Sequence, residues 1–159
     1  MKQGFTLLEI IAAMILLSVV VLSTTLAIVP ITEALFQTRQ NVHSAQKTQL
    51  AVSRIVREFT TITNIVASSS TSITYDFIDP AGASLNRTLS WGGNSGNPLL
   101  LDNIPLSDDI AAFELRYLTP AGAEFASWNN NTVFITVRIQ PLNSPTLFQT
   151  RVFPRNMQD

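Results

Sequence analysis

The chain has 159 residues, of which 46% are hydrophobic and 13% are charged, and its formal net charge is -1. Single domains usually contain about 100 to 150 residues, so we expect one modest domain with an appended element. The net charge lacks the basic excess that tracks a phosphate backbone, and we therefore expect no nucleic-acid binding. Cysteine is absent, which excludes disulfides, thiolate catalysis and cysteine metal ligands. The charged fraction is well below the roughly 25% of soluble domains, which predicts apolar surface facing lipid or partner chains.

The first feature along the chain is an apolar segment over residues 5–29. A helix rises about 1.5 Å per residue, so this segment is long enough to cross a hydrocarbon core about 30 Å thick. Lys2 precedes the segment and the next basic residue is Arg39, an asymmetry that favours a cytoplasmic N-terminus and an exported body. We therefore predict a transmembrane helix over residues 5–29.

Glu9 is the only charged residue of this segment. A carboxylate costs on the order of 2.5 to 3.5 kcal/mol at the bilayer centre, and less near an end. Two arrangements relieve this cost. Either the side chain is protonated or reaches the membrane interface, or a cation from a partner pairs with it.

The residues around Glu9 carry a family resemblance. Lys2-Gln3-Gly4-Phe5-Thr6-Leu7-Leu8-Glu9 resembles the prepilin signature of type IV pilins and type II secretion pseudopilins. The resemblance implies that a prepilin peptidase cuts after Gly4, which removes residues 1–4 as a leader. It also implies N-methylation of Phe5 and pairing of Glu9 with a neighbouring subunit's terminal amine. The pairing is physically sound, because each charge offsets the desolvation of the other and methylation leaves the amine protonatable.

A secretory signal peptide is the competing interpretation of the same segment. Its apolar region would be about 7 to 15 residues long and would end in a small-residue cleavage site. The segment here is longer, contains Glu9 and ends at Ile28-Val29-Pro30. These three differences favour the prepilin interpretation.

Beyond the membrane, the apolar residues recur at helical spacing. We predict an amphipathic helix over residues 30–64 that ends at Asn64, followed by a hydroxyl-rich bridge over residues 68–72. The apolar stripe of this helix is formed by Leu35, Val42, Ala45, Val52, Val56 and Phe59.

The remaining residues, 65–159, change to a period of two and predict an antiparallel β domain. Residues 73–78 and 85–91 flank the turn residues Asp79-Pro80-Ala81-Gly82, which predicts a hairpin. Residues 117–124 echo residues 77–84, so we predict a second hairpin after a strand at 111–116. Strands at 132–140 and 146–153 complete one predicted sheet. Its apolar face, predicted to pack on the helix stripe, is Val133, Ile135, Val137 and Ile139.

The predicted fold class is α+β: a long N-terminal helix, transmembrane and then amphipathic, packed on an antiparallel β-sheet. The pilin resemblance implies the same architecture. Residues 112–117, Trp128 and Arg155-Asn156 are also loosely similar to minor pseudopilins of the J type or to minor pilins of similar build.

The sequence contains no pattern that predicts catalysis or a cofactor. His43 is the only histidine, it lies on the polar side of the helix, and no triad can be built around it. The loop Gly92-Gly93-Asn94-Ser95-Gly96 lacks the Lys-Ser/Thr that follows in a phosphate-binding loop, and we predict a flexible loop. Asp102, Asp108 and Asp109 are weak calcium candidates, but their spacing does not match an EF-hand and a solvated turn is favoured. We expect no enzyme activity, no cofactor and no metal.

The sequence therefore predicts a structural minor pilin or pseudopilin that enters a type IV pilus or a type II secretion pseudopilus. The partners implied by the resemblance are prepilin peptidase, other pilin or pseudopilin subunits, an inner-membrane assembly platform and the lipid bilayer. It also implies a single-pass inner-membrane location with a periplasmic or extracellular C-terminal domain, followed by the filament. The alternative is a membrane-tethered extracytoplasmic binding module that does not polymerise, for which Trp91 and Trp128 would supply exposed aromatic rings.

Overall fold

The computed structural model describes residues 6–79, 81–142 and 144–157, except for the side chains of residues 26 and 27. These residues form one helix, α1, followed by strands in two antiparallel sheets. The predicted α+β class with a long N-terminal helix is confirmed. The prediction of one sheet is wrong, because the strands divide between two. The bounds are α1 Leu7–Thr60, β1 Ile62–Ser68, β2 Ser72–Ile78, β3 Ser84–Trp91, β4 Leu99–Leu101, β5 Ile104–Ser107, β6 Ile110–Leu118, β7 Glu124–Phe125, β8 Phe134–Pro141 and β9 Phe148–Val152.

The chain divides into two compact units, the N-terminal unit Met1–Gln40 and the C-terminal unit Asn41–Asp159. In the N-terminal unit the described residues after Thr6 form continuous α-helix, and Pro30 lies within it. Large apolar side chains are exposed on this helix from its first turn onward, for example Leu8 and Leu16. A helix with apolar surface on every side is stable only in apolar surroundings.

Hydroxyl side chains of this unit bond within the helix. Each donates a hydrogen bond to a backbone carbonyl one turn earlier, so no hydroxyl of this group needs water as a partner. The bonds are 2.7 to 3.0 Å long and involve Ser18, Ser23, Thr24, Thr25, Thr32 and Thr38.

In the C-terminal unit, α1 contributes one buried face to the core. Thr48, Ala51, Ile55 and Phe59 are buried at spacings of three and four, as expected for one side of a helix. The predicted stripe is partly right, since its members Ala45, Val52 and Val56 are half-buried beside this face. Leu35 and Val42, which were also predicted to belong to it, are 54% and 50% exposed.

The helix ends at Thr60 rather than at the predicted Asn64, because β1 begins at Ile62. The backbone N–H of Thr61 donates to the carbonyl of Glu58 at 3.0 Å and closes the last turn. Residues 60–66 are rich in β-branched side chains, which favour strands. The predicted boundary between residues 64 and 65 therefore lies inside β1.

The first sheet has the strand order β1-β2-β3-β4-β5. The predicted hairpin is confirmed as β2 and β3, with Tyr75 opposite Arg87. Ile73, Tyr75 and Phe77 are buried, while Asp76 lies on the other face. This alternation is the expected pattern for a strand with one face on the core.

The second sheet has the order β7-β6-β8-β9. Ile135, Val137 and Ile139 of β8 are buried in the same core cluster as Phe59, which confirms their predicted packing. Val133 is half-buried and lies just before the strand. Thr136 alternates with these residues along the strand, yet it is also buried, and its hydroxyl has no hydrogen-bond partner in the described part of the chain.

The repeated turn is reproduced in both sheets. Asp79 and Thr119 each donate their backbone N–H to the carbonyl four residues later, at 2.9 and 3.0 Å. Each side chain then accepts a hydrogen bond from that same later residue, at 2.8 and 3.1 Å. Gly82 and Gly122 have φ values of 87° and 88°, a conformation that glycine adopts without a steric penalty. The sequence echo thus reflects one turn structure used twice.

The hydroxyl-rich residues 68–72 form the end of β1, the turn to β2 and the start of β2, not a bridge after the helix. This turn binds the second sheet: Leu115 donates its backbone N–H to the carbonyl of Ser70 at 2.7 Å. The Tyr117 hydroxyl donates to the carbonyl of Ser69 at 3.1 Å, and the Trp128 backbone N–H donates to Ser68 Oγ at 2.8 Å. The turn therefore joins the two sheets.

Candidate functional site

The predicted processing residues Gly4 and Phe5, together with the predicted leader, lie outside the described residues. Thr6 is the first described residue, and α1 starts immediately after it at Leu7. Thr6 is therefore the N-cap of the helix, and Glu9 is its third helical residue.

Thr6 and Glu9 bond to each other in both directions. The backbone N–H of Glu9 donates to Thr6 Oγ1 at 3.4 Å, and the backbone N–H of Thr6 donates to Glu9 Oε2 at 3.5 Å. This reciprocal arrangement is a capping box, which satisfies backbone donors that a helix N-terminus leaves free. The carboxylate also complements the positive end of the helix dipole. This role of Thr6 was not predicted, although the T-x-x-E spacing is the known sequence signal of a capping box.

The side chain of Glu9 is exposed in the single chain. It borders a shallow groove of about 370 Å³ on the helix surface. The other residues that line this groove are apolar: Ile10, Ala13, Met14 and Leu17. A carboxylate thus lies at the edge of a surface that suits apolar chains.

The helix that carries Glu9 fits a membrane by length and composition. Its most apolar 18-residue window has a mean hydropathy of 2.5, and none of that window is buried. Together with the residues around Gly4, this supports membrane anchoring of the N-terminal segment.

The weak calcium candidates do not share a site. Asp102 accepts the Thr88 backbone N–H at 2.9 Å and lies 3.4 Å from Arg87 Nε. Asp108 pairs with Lys47 at 2.9 Å. Among the described residues, no group of three or more His, Asp or Glu side chains is placed to hold a metal ion. Asp102 and Asn103 have positive φ values and form the hairpin turn between β4 and β5, and Asp and Asn are among the non-glycine residues that adopt positive φ most often.

The structure also shows the surroundings of the other residues that the sequence singled out: His43, the glycine-rich loop and the two tryptophans. His43 is exposed on α1. The glycine-rich loop was predicted to be flexible, but its end is anchored to β6, because Gly96 donates its N–H to the Ile110 carbonyl at 2.9 Å. Trp91 and Trp128 are not fully exposed, since both are partly buried against the core.

A charged cluster near the end of α1 was not foreseen. Arg87 Nη1 binds both oxygens of Glu58, at 2.6 and 2.7 Å. The hydrogen bond that Arg87 donates to Glu58 raises the pKa of Arg87. Burial, followed by the nearby Glu58 charge, raises the pKa of Tyr75, whose hydroxyl lies 3.4 Å from Glu58 Oε2. These groups hold the helix end against the first sheet.

Comparison with known protein families matches residues 1–25 to the family described as "Prokaryotic N-terminal methylation motif". No curated protein sequence matches the chain. The match includes Gly4, Phe5 and Glu9 and ends within α1. The finer similarity to J-type minor pseudopilins stays a prediction. The N-terminus of this chain is therefore the prepilin methylation motif of type IV pilin-like proteins and pseudopilins.

Proposed function

We propose that the chain is a structural minor pilin or pseudopilin, which is cut after Gly4, N-methylated at Phe5 and assembled into a type IV pilus or a type II secretion pseudopilus. The observation that carries the proposal is the position of Glu9. It lies in the first turn of an exposed apolar helix and within the matched methylation motif. The proposed role is assembly, without catalysis of a reaction.

Cleavage would create the charge that Glu9 needs. Hydrolysis of the bond after Gly4 leaves a new amine on Phe5, which stays protonatable after methylation. In the single chain, Glu9 accepts one hydrogen bond from Thr6 at 3.5 Å, which is long for such a bond. A cationic amine from a neighbouring subunit is a stronger partner. The carboxylate can therefore exchange a weak local bond for an ion pair when subunits come together.

The proposed topology follows from the charges that flank the apolar helix. Lys2 precedes the apolar segment at residues 5–29 and Arg39 follows it, so the N-terminus would be cytoplasmic and the C-terminal unit periplasmic or extracellular. The chain would first reside in the inner membrane. It would then pass to the filament through an assembly platform and contact related subunits.

A tethered binding module that does not polymerise is the rival function. Its main support was the expected exposure of Trp91 and Trp128, and both rings pack partly against the core. Crosslinking separates the two functions. Because the chain has no cysteine, Leu16→Cys introduces a single thiol on the exposed apolar helix. With a photocrosslinker attached to this thiol, a filament subunit gives crosslinks to related chains, whereas a tethered monomer gives none.

The first test is intact-mass analysis of the full chain from membranes of a host with active prepilin peptidase. We expect a mass that lacks residues 1–4 and includes one additional methyl group. The same host without the peptidase is the control and should yield the uncut chain. A chain that keeps residues 1–4 in the active host would contradict the proposal.

The second arm of this test is Glu9→Leu, compared with Glu33→Leu, which removes another exposed carboxylate of the same unit. Glu9→Leu should be cut normally but should enter filaments at least about tenfold less, since an unpaired buried charge costs about 3 to 5 kcal/mol. Glu33→Leu should enter normally. Equal entry of both variants would remove the charge-pair mechanism.

A further inference from the structure

A groove of about 460 Å³ lies within the C-terminal unit, where β1, the loop before β8 and the segment after β9 meet. Its volume is within the usual range of small-molecule sites, about 300 to 1,000 Å³. None of its described lining residues is charged. We propose that this groove, which is lined by the amide residues Asn64, Asn129 and Asn130 and by the aromatic residues Trp128 and Phe153, binds an uncharged saccharide.

The loop that forms one wall is held in place by its own hydrogen bonds. Thr132 Oγ1 donates to the Asn129 carbonyl at 2.6 Å and accepts the Asn129 N–H at 3.0 Å. Asn129 Oδ1 accepts the backbone N–H of Asn131 at 2.9 Å. The side-chain N–H₂ of Asn129 has no protein acceptor among the described residues and remains a donor for a ligand. A wall ordered before binding lowers the entropic cost of binding.

Asn64 of β1 presents an oriented acceptor among the lining residues. Asn64 Nδ2 donates to Asp76 Oδ2 at 2.9 Å. This bond sets the orientation of the amide and leaves its Oδ1 to accept a hydrogen bond from a ligand. The hydrogen bonds from Asn64 and then Asn86 lower the pKa of Asp76, which keeps this support ionised near neutral pH. Asn64 therefore complements the donor of Asn129.

Aromatic rings supply the apolar part of the groove. The Trp128 ring packs edge to face on Tyr117, with ring centroids 6.1 Å apart, and is therefore fixed in orientation. The Phe153 ring lies 5.7 Å from Phe134 and is 53% exposed. Rings of this kind offer rigid apolar surface at low entropic cost.

A saccharide combines the properties that this lining requires. Each hydroxyl is both a donor and an acceptor, as are the amide side chains, and the C–H faces of the sugar ring suit aromatic surface. An added peptide strand fits less well, because the register between β1 and β2 shifts at two places and an irregular edge is a poor template for pairing. A charged ligand would find no counter-charge among the lining residues. This inference is independent of filament assembly, since it concerns only the C-terminal unit.

The test measures saccharide binding to the full chain, which is solubilised in a detergent that has no sugar headgroup. Binding is detected by tryptophan fluorescence and saturation-transfer NMR. The probes are the neutral oligosaccharides chitotriose, lactose and maltotriose, with sialyllactose as the charged counterpart. We expect saturable binding of at least one neutral probe at about 1 mM or tighter. The proposal is overturned if no neutral probe saturates below about 10 mM, or if only the charged probe binds.

Matched variants connect the binding to the groove. Asn64 and Asn86 each donate an amide hydrogen bond of 2.9 Å to Asp76, but only Asn64 lines the groove. Asn64→Ala and Asn130→Ala should each weaken saccharide binding about three- to tenfold, whereas Asn86→Ala should change it less than about twofold. Equal effects of Asn64→Ala and Asn86→Ala would overturn the assignment. It would also be overturned if, among the competitors tested, only an extended neutral peptide displaced the sugar. Failure of filament entry by Glu9→Leu would leave these binding results unchanged.

Discussion

The two units of the chain solve the problem of apolar surface in opposite ways. In the N-terminal unit, large apolar side chains such as Leu8 and Leu16 are exposed, by 80% and 67%. In the C-terminal unit, side chains of the same kind, such as Ile55 and Phe59, are buried in a core shared by the helix and both sheets. The contrast teaches that one helix serves two environments: its first part depends on lipid or partner chains, and its last part on its own sheets.

The largest expected effect tests this contrast within α1. Phe59→Ala should lower the free energy of unfolding by about 3 to 5 kcal/mol, because it opens a cavity in a fully buried site. Leu50→Ala, on the exposed side of the same helix, should change it by less than about 0.5 kcal/mol. The measurement is denaturant unfolding of the detergent-solubilised chain, which is monitored by the fluorescence of Trp91 and Trp128.

Leu16→Ala extends the comparison to the N-terminal unit. This residue is exposed, so its truncation should leave the unfolding of the C-terminal unit unchanged. A loss of stability equal to that of Phe59→Ala would mean that the two units do not solve the problem separately, and the comparison would be wrong.

A smaller effect is expected where charges hold the C-terminal unit together. Glu58→Gln weakens a pair in which Arg87 Nη1 binds both carboxylate oxygens, and should cost about 1.5 to 3 kcal/mol in the same unfolding experiment. Asp108→Asn breaks the exposed pair with Lys47 and should cost less than about 1 kcal/mol. The reverse order would show that burial does not set the strength of these pairs.

The smallest expected effect is a pH dependence of the melting temperature, which arises from Glu114 on the second sheet. Hydrogen bonds from Arg116, and then from Arg138, hold the pKa of Glu114 below its ordinary value despite partial burial. A lowered pKa in the folded state stabilises the fold above the ordinary pKa, and this stability is lost as the pH falls through the folded pKa. The chain should therefore melt about 2 °C higher than Glu114→Gln near about pH 6, and this difference should narrow as the pH is lowered to about 3, below the ordinary pKa of glutamate. A constant difference at both pH values would assign the effect to packing.

Much of the fold follows from local patterns in the sequence. The apolar run predicts the exposed helix, and the turn residues beginning at Asp79 and Thr119 predict two hairpin turns that share one geometry. The helix end was misplaced by four residues, although the β-branched run at 60–66 was available as a signal.

The division into two sheets could not be predicted from the same patterns. Strand pairing depends on contacts between residues distant in sequence, such as Leu115 of β6 opposite Val137 of β8, and periodicity reports only which face of a strand is buried. Helical spacing also left the position of the buried face of α1 uncertain by about one residue. The predicted apolar stripe therefore omitted the buried Ile55 and included the exposed Val42.

The candidate site shows the same limit. The importance of Glu9 was predicted from one charge in an apolar run, and the T-x-x-E signal for its bond to Thr6 was present but not used. Asn64 and Trp128, in contrast, lie far apart in the sequence and line one groove only after folding. No local signal marks them as neighbours.

The serine-rich turn at residues 68–72 has a practical consequence for engineering. By composition it invites insertion of an epitope or a fluorescent label, as flexible linkers do. However, its backbone and side chains form hydrogen bonds with Leu115, Tyr117 and Trp128 and connect the two sheets. An insertion there would separate the sheets. The exposed tip at Ala121 is the better position for a tag, because the hydrogen bonds of its turn to described residues are all within the turn.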